Sequence, residues 1–262
     1  MIRVGVFGAA GRMGATVCQA ILGDPQLELV AAVDPLHAGI DLRQFGIEAP
    51  SMQISRSADA LADAGAEVAV DFTVVDAARD NIAWCADNGV HAVVGTTGFS
   101  ADDVDGFRAR FEASGANAVI APNFAIGAVL MVRFAELAAP YFETAEVIEL
   151  HHDQKIDAPS GTAMATAQRI AGASKDWGDD PTTTVVAEGA RGGIVEGIPV
   201  HSVRLRGLVA HQEVLLGTTG QSLSIRHDAY DRSSFMPGVL LAVRKVSEIA
   251  GLTIGLDALL GL

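Results

Sequence analysis

Two histidines, a lysine and a helix start fall within twelve consecutive residues, from His151-His152-Asp153-Gln154-Lys155 through Asp157-Ala158-Pro159 to Ser160-Gly161-Thr162. A histidine titrating near neutral pH and a lysine can both deliver protons to a substrate being reduced. The Ser160-Gly161-Thr162 start offers backbone N–H groups to a carboxylate, and Lys155 adds a charge-assisted partner. Lysine is scarce in the chain. Only Lys155, Lys175 and Lys245 accompany 15 arginines, so a lysine in this cluster carries information. Zinc is a poor fit, because adjacent residues on a strand point to opposite faces and His151 and His152 cannot readily share a metal. No HExxH or Cys-His set supports it, so no metal is expected. His37, His91, His201, His211 and His227 have no comparable neighbours in sequence and are expected to be structural. Cys18 and Cys85 sit in helix-like segments without a CxxC, as buried thiols of a reducing compartment would.

A second kind of chemistry stands near the start. Gly8-Ala9-Ala10-Gly11-Arg12-Met13-Gly14 separates a strand-like run from an amphipathic stretch. Glycines there let the backbone turn sharply and approach a pyrophosphate, which then meets the open N–H groups of the helix. Asp34 follows 20 residues after Gly14, at the end of the next apolar run. A carboxylate at that place accepts hydrogen bonds from the adenosine ribose hydroxyls and disfavours a 2′-phosphate, so NADH is favoured over NADPH. The same residue could instead cap the turn before Pro35. Two more polar turns, Gly95-Thr96-Thr97-Gly98 and Ala121-Pro122-Asn123-Phe124, each follow a strand-like run. Both would face the nicotinamide end of a cofactor, unless they are ordinary turns. No GxxxxGK[ST] occurs, which excludes a Walker loop.

The elements that must carry these groups change character along the chain. Strand-like runs at Arg3-Phe7, Leu27-Val33, Glu67-Phe72, Val90-Val94 and Ala118-Ala121 alternate with helical stretches, which implies βαβ units and a parallel sheet with helices on both faces. After Asn123 a long helix, about Ala125 to Phe142, leads to the strand Ala145-Leu150 and the histidines. A helix is expected from Ser160, and Gly172 to Pro199 reads as a long variable loop. Val200-Arg206, Val209-Leu216 and Ser222-His227 follow without intervening helices, an α+β pattern, and a last helix spans about Phe235-Ala250. The boundaries expected are 1–123, completed by about 233–262, for dinucleotide binding, and 124–232 for substrate binding and oligomerisation. The 262 residues are half apolar and carry 18 Lys+Arg against 32 Asp+Glu, a formal charge of −14 that would repel nucleic acid and anionic lipid. With Met1-Ile2-Arg3 running straight into a strand and no apolar span, a cytoplasmic protein is expected.

Taken in order, the glycine turn, Val94-Gly95-Thr96-Thr97-Gly98-Phe99, Ala121-Pro122-Asn123-Phe124 and Glu149-Leu150-His151-His152 through Lys155 to Asp157-Ala158-Pro159-Ser160-Gly161-Thr162-Ala163 resemble the dihydrodipicolinate reductase family of lysine and diaminopimelate biosynthesis. The resemblance runs essentially end to end. It implies an α/β fold: a Rossmann-like parallel-sheet nucleotide-binding domain with an inserted α+β substrate and tetramerisation domain. It implies NAD(P)H-dependent reduction of 4-hydroxy-tetrahydrodipicolinate, a cyclic imine dicarboxylate, with loss of water, by a homotetramer. Carried over by position, Gly8, Ala9, Ala10, Gly11, Arg12, Met13, Asp34, Gly95, Thr96, Thr97, Ala121, Pro122, Asn123 and Phe124 would bind the cofactor. His151 would donate and accept the proton, and Lys155 would donate one. His152, Ser160, Gly161 and Thr162 would hold the substrate carboxylates. Two departures stand out: Asp153-Gln154 replace the commoner basic residues, and Pro35 stands where many relatives carry Arg, which weakens NADPH binding there.

The alternative is another Rossmann-fold NAD(P)-dependent oxidoreductase acting on a small dicarboxylate. Its common forms fail on residues. Neither Tyr141 nor Tyr230 is followed four places on by Lys, as short-chain dehydrogenases require, and neither cysteine lies near the reactive segment. A non-catalytic NAD-responsive regulator would need a basic DNA reader, which the net charge opposes.

Overall fold

The chain begins with Ile2–Phe7 (β1), whose last four residues are buried, and the glycine turn follows directly. Arg12–Leu22 (α1) buries Gly14, Val17, Cys18 and Ile21, one stripe at helical spacing. Leu27–Val33 (β2) runs parallel to β1. A looser stretch with the short helix Asp59–Asp63 (α2) leads to Val68–Asp71 (β3), a strand buried at every position as parallel strands covered on both faces are. Val75–Asp87 (α3), His91–Val94 (β4), Ala101–Ser114 (α4) and Ala118–Ile120 (β5) continue the alternation. The ends of α4 are written in its sequence: Ser100 and Asp103 form a capping box, and Gly115 closes it in the left-handed region. Phe7, Leu61, Ile82, Val94, Phe111 and Leu252 belong to one apolar cluster in this sheet and its helices.

Ile126–Ala138 (α5) is shorter than expected. Pro140 lacks the N–H that the next helical turn needs, and Ala139–Tyr141 form a 3-10 turn instead. Thr144–His151 (β6) buries Ala145, Val147 and Glu149 in alternation, and Gly161–Ala173 (α6) starts from a Ser160 cap whose Oγ accepts from Ala163 N. The segment expected to be one long loop ends in a hairpin. Gly193–Val195 (β7) pairs antiparallel with Ile198–Arg204 (β8) around Glu196-Gly197, both of which have positive φ. That two-residue turn matches strand twist. Ala210–Thr218 (β9) and Gln221–Ala229 (β10) form a second hairpin, and the sheet order is β10-β9-β6-β8-β7. Helices α5 and α6 pack on this sheet.

Met236–Lys245 (α7) also stops earlier than the sequence pattern suggests. After a 3-10 turn at Val246–Glu248, Leu252–Ile254 (β11) pairs parallel with β5, and Asp257–Leu260 (α8) ends the chain. Between Gly251 and Gly255, both with positive φ, β11 is too short for alternation to reveal it. The first sheet is therefore six-stranded, in the order β11-β5-β4-β3-β1-β2. The computed structural model describes residues 1–262 and divides into two compact units, Met1–Phe124 with Phe235–Leu262, and Ala125–Ser234. No helix is long and apolar enough to cross a membrane.

Two helical glycines give opposite expectations. A Cβ on Gly238 would stand 2.1 Å from the Phe124 carbonyl oxygen, whereas one on Gly106, inside α4, would meet nothing within 4 Å. Gly238→Ala should therefore destabilise by about 1–3 kcal/mol, and Gly106→Ala should stabilise by about 0.5–1 kcal/mol. Urea midpoints moving in the same direction would contradict this packing.

Candidate active site

In the first unit the glycine turn is shaped by contacts that a side chain would destroy. Gly8 has φ +68°, and a Cβ on Gly14 would stand 2.0 Å from the Gly8 carbonyl oxygen. Gly11 caps α1 without any side-chain hydrogen bond, so the first-turn N–H groups, those of Arg12, Met13 and Gly14, keep no intrahelical partner. A cradle with no room for Cβ and an uncapped helix start fit a dinucleotide pyrophosphate. Ala9 is buried, Ala10 and Met13 are half-buried and Arg12 is exposed.

Asp34 is a cap in this structure. Its Oδ1 accepts from Leu36 N at 3.1 Å and pairs with His37 Nδ1 at 3.0 Å. Thr96, expected among the cofactor contacts, turns its hydroxyl inward, to Asp71 Oδ1 at 3.0 Å and the Thr73 carbonyl at 3.1 Å. Asp71 also accepts from Thr73 N, Thr73 Oγ1 and Asn81 Nδ2. Gly95 lies against Phe72, whose ring a Cβ there would strike, and Phe72 in turn packs on Phe124. Thr97 and Pro122 are exposed, Asn123 is half-buried, and Ala121 N donates to Val94 O.

In the second unit one fully buried carboxylate organises the reactive segment. Glu149 accepts from Arg204 at both oxygens, each at 2.8 Å, pairs through Oε2 with His151 Nδ1 at 2.5 Å, and takes Ser160 N on Oε1 at 3.2 Å. Arg204 reaches further, to the Asp157 carbonyl at 2.6 Å. Lys155 Nζ holds both Asp157 oxygens, at 2.7 and 2.9 Å. The structure therefore brings His151, Lys155 and Ser160 together through Glu149, Arg204 and Asp157, three residues the sequence did not single out as site residues. Glu149 was detectable as an acid on the inward face of an alternating strand. Arg204, 55 residues away, gave no local signal. His152 is exposed just beyond β6, Gly161 is exposed and Thr162 is half-buried at the first turn of α6. Ser160 N donates to Glu149 and Ala163 N is taken by Ser160 Oγ, so Gly161 and Thr162 carry the open N–H groups.

The remaining histidines are less isolated than their sequence neighbours suggested. His37 meets Asp34, His201 meets Glu146, and the buried His211 meets Asp228. The thiols are inert: burial pushes Cys18 up to about 12 and Cys85 further.

Burial pushes the Glu149 carboxyl up, but Arg204, Ser202 and His151 outweigh it and hold it below its ordinary value. Burial lowers His151, helped by the positive charges of Lys155 and Arg204 and opposed by Glu149. Asp157 is held low, chiefly by Lys155. With Nδ1–H pointed at Glu149, Nε2 is the His151 nitrogen left for other work.

A six-stranded Rossmann sheet with an uncapped glycine turn, in one chain with an α+β unit carrying a carboxylate-oriented histidine, defines a two-domain nucleotide-binding oxidoreductase. The chain belongs to the dihydrodipicolinate reductase family: the model of the family's N-terminal part matches residues 2–124 and that of its C-terminal part residues 127–260. The 4-hydroxy-tetrahydrodipicolinate reductases of Mycolicibacterium vanbaalenii and Corynebacterium urealyticum are 52% and 49% identical to it over the full length of both chains. The dipicolinate-bound dihydrodipicolinate reductase of Paenisporosarcina sp. TG-14 superposes with a TM-score of 0.87 at 41% identity, covering 98% of this chain and 99% of that one. An amine dehydrogenase of Mycobacterium smegmatis, at 14% identity and a TM-score of 0.67, shares the fold alone.

Removing Arg204 leaves Glu149 buried without its guanidinium partner, so Arg204→Ala should destabilise by about 3–5 kcal/mol near neutral pH. In the native protein Glu149 titrates below its unfolded value, so its contribution is complete above about pH 4.3 and is lost as pH falls further. Without Arg204 burial should raise the carboxyl, and protonation would then relieve the variant. Urea midpoints should differ strongly at pH 7.5 and converge toward pH 5. A gap independent of pH would rule out this charge pairing.

Proposed function

We propose that the protein reduces 4-hydroxy-tetrahydrodipicolinate to tetrahydrodipicolinate, with loss of water, on the route to diaminopimelate and L-lysine. The observation that carries this reading is the Glu149-oriented His151 beside Lys155 and the open start of α6, in a chain of this family. Loss of the hydroxyl as water leaves a conjugated imine. A bound nicotinamide supplies the hydride that adds at the former hydroxyl carbon. One proton is then needed to balance the added hydride.

His151 supplies it from Nε2. Burial lowers the proton affinity of this ring in the free protein, and a dicarboxylate beside it would raise that affinity again. Lys155 would exchange Asp157 for a substrate carboxylate and serve as a second proton donor. His152, Ser160 through its hydroxyl, and the Gly161 and Thr162 N–H groups would fix the carboxylates and so select the face that receives hydride. Gly8 to Met13, Asp34, Gly95 to Thr97 and Ala121 to Phe124 would hold the cofactor. Asp34, 8% exposed, uses Oδ1 for its cap, which leaves Oδ2 for a ribose hydroxyl and repels a 2′-phosphate. NADH is therefore preferred, with NADPH also used. Cytoplasmic location follows from the pathway, and the acidic charge disfavours nucleic acid.

We also propose a homotetramer. Helices cover the face of the second sheet that holds Val147, Val214 and Leu216, while Ile148, Leu150 and Leu215 on the opposite face stay partly exposed. A second copy can cover that face and the sheet edges. Sedimentation at micromolar concentration should give about four times 27.1 kDa, and a stable monomer would refute it.

The function is tested with substrate generated in situ by the preceding enzyme of the pathway. The protein should oxidise NADH, and an NADPH advantage above about tenfold in kcat/KM, or 1.4 kcal/mol, would overturn the assigned preference. Lys155→Ala should lower kcat by roughly 10² or more and raise the KM for the dicarboxylate. His151→Ala should match the kcat loss with a smaller KM effect, and the double variant should fall short of the product of the two. Cofactor affinity should stay within about twofold, since neither residue belongs to the nucleotide-binding unit. Turnover unchanged by Lys155→Ala would return it to a surface role.

A further inference from the structure

We infer that the buried carboxylate of Asp71 stabilises the positive charge that appears on the nicotinamide ring when hydride leaves, and so favours the oxidised over the reduced cofactor. The inference rests on the reading of the first unit as a nicotinamide-nucleotide site. Asp71 is the last residue of β3, in register with Phe7 of β1 on one side and Val94 of β4 on the other. From β1 the sheet continues outward to β2, and from β3 it continues to β4, β5 and β11. Asp71 therefore stands at the carboxyl end of the sheet, where the strand order reverses and ligands of open parallel sheets bind.

Its surroundings are unusual for an acid that is only 2% exposed. The four groups that donate to it, Thr73 N, Thr73 Oγ1, Thr96 Oγ1 and Asn81 Nδ2, lie at 2.7–3.0 Å and none carries a charge. The arginine of α3, Arg79, is engaged with Asp76 and Asp103 instead. These bonds hold Thr73 against the glycine turn, since a Cβ on Gly8 would stand 2.9 Å from Thr73 Cγ2. Shape alone, however, does not need a charge. An asparagine would accept the same three bonds on its oxygen, and Asn81 could turn its own amide oxygen toward the new NH₂. A buried anion without a cation is costly. Asp71 thus places an uncompensated negative charge where the cofactor binds.

The dihydronicotinamide ring is neutral. Transfer of a hydride, two electrons with one proton, leaves a pyridinium cation. An anion in a poorly screened interior attracts that cation and the partial charge of the transition state, and leaves the neutral ring almost unaffected. Asp71 is in this sense a positioning residue that acts by its field as well as by its bonds.

The test is equilibrium titration of NAD⁺ and NADH separately, without substrate, into the wild-type protein, Asp71→Asn and Asp71→Glu. Asp71→Asn should weaken NAD⁺ about tenfold and NADH less than twofold, equivalent to about 30 mV in the midpoint of the bound two-electron couple. Asp71→Glu keeps the charge, so its affinity ratio should stay within twofold of wild type even if both affinities fall. Equal weakening of both nucleotides by Asp71→Asn, or no change in the ratio, would overturn the proposal and leave only a loop-shaping role. Failure of Asp71→Asn to fold while Asp71→Glu folds would overturn it too, by making the charge structural. Failure of the wild type to bind either nucleotide would remove the proposed function itself.

Discussion

The ion pair between Glu149 and Arg204 is the constraint on which the second unit's reactive segment depends. A carboxylate with no exposed surface cannot stay ionised among Ala145, Val147 and the apolar face of α6 without compensation. Arg204 supplies that in the strongest geometry available to two side chains, a parallel pair of charge-assisted bonds. The two oxygens each then take a second donor: His151 Nδ1 on one, Ser160 N on the other. One group therefore fixes the tautomer of the histidine and the start of α6 at once. Moving either partner would disturb both the imidazole of His151 and the first-turn N–H groups of α6.

This arrangement explains why the chain needs β8 beside β6. Parallel pairing puts His151 opposite Arg204, so the arginine enters beside the end of the strand rather than from a loop. Arg204 also binds the Asp157 carbonyl, which ties down the turn carrying Lys155. A surface salt bridge such as Lys155–Asp157 adds little stability by itself. In the proposed reaction its value lies in holding a lysine that a substrate carboxylate would take over.

Much of this was legible in residue order, and the reasons for the rest are specific. Gly14 is forced by close backbone approach and Gly8 by its left-handed φ, so the turn could be read directly. The His151–Lys155 cluster was visible because its members are neighbours in sequence. Glu149 was half visible, as an acid in register with buried alanine and valine. Arg204 and Asp71 were hidden, because their meaning depends on which strands pair, and pairing is a long-range property. The strand β11 escaped because three residues cannot show a period, and the β7–β8 hairpin because its turn lies in a glycine-rich stretch. The inward turn of the Thr96 hydroxyl was not legible either, since a threonine in a polar turn gives no sign that Asp71, 25 residues away, will take its hydrogen bond.

The two buried acids show how partner charge decides what a carboxylate can do. Glu149 is matched by a cation, so its field is largely cancelled beyond the pair and its effect is local: orientation of an imidazole and a backbone N–H. Asp71 is matched only by dipoles, so its field extends past its hydrogen bonds. The histidine faces a related balance. Burial and two cations lower its proton affinity in the free protein, against the pull of Glu149. In the proposed reaction, the arriving dicarboxylate brings negative charge to the side those cations occupy, and Lys155 exchanges Asp157 for it. Both changes favour the imidazolium when substrate is present. The proton donor would thus be charged by binding, while the Glu149 contact that aims it stays fixed throughout.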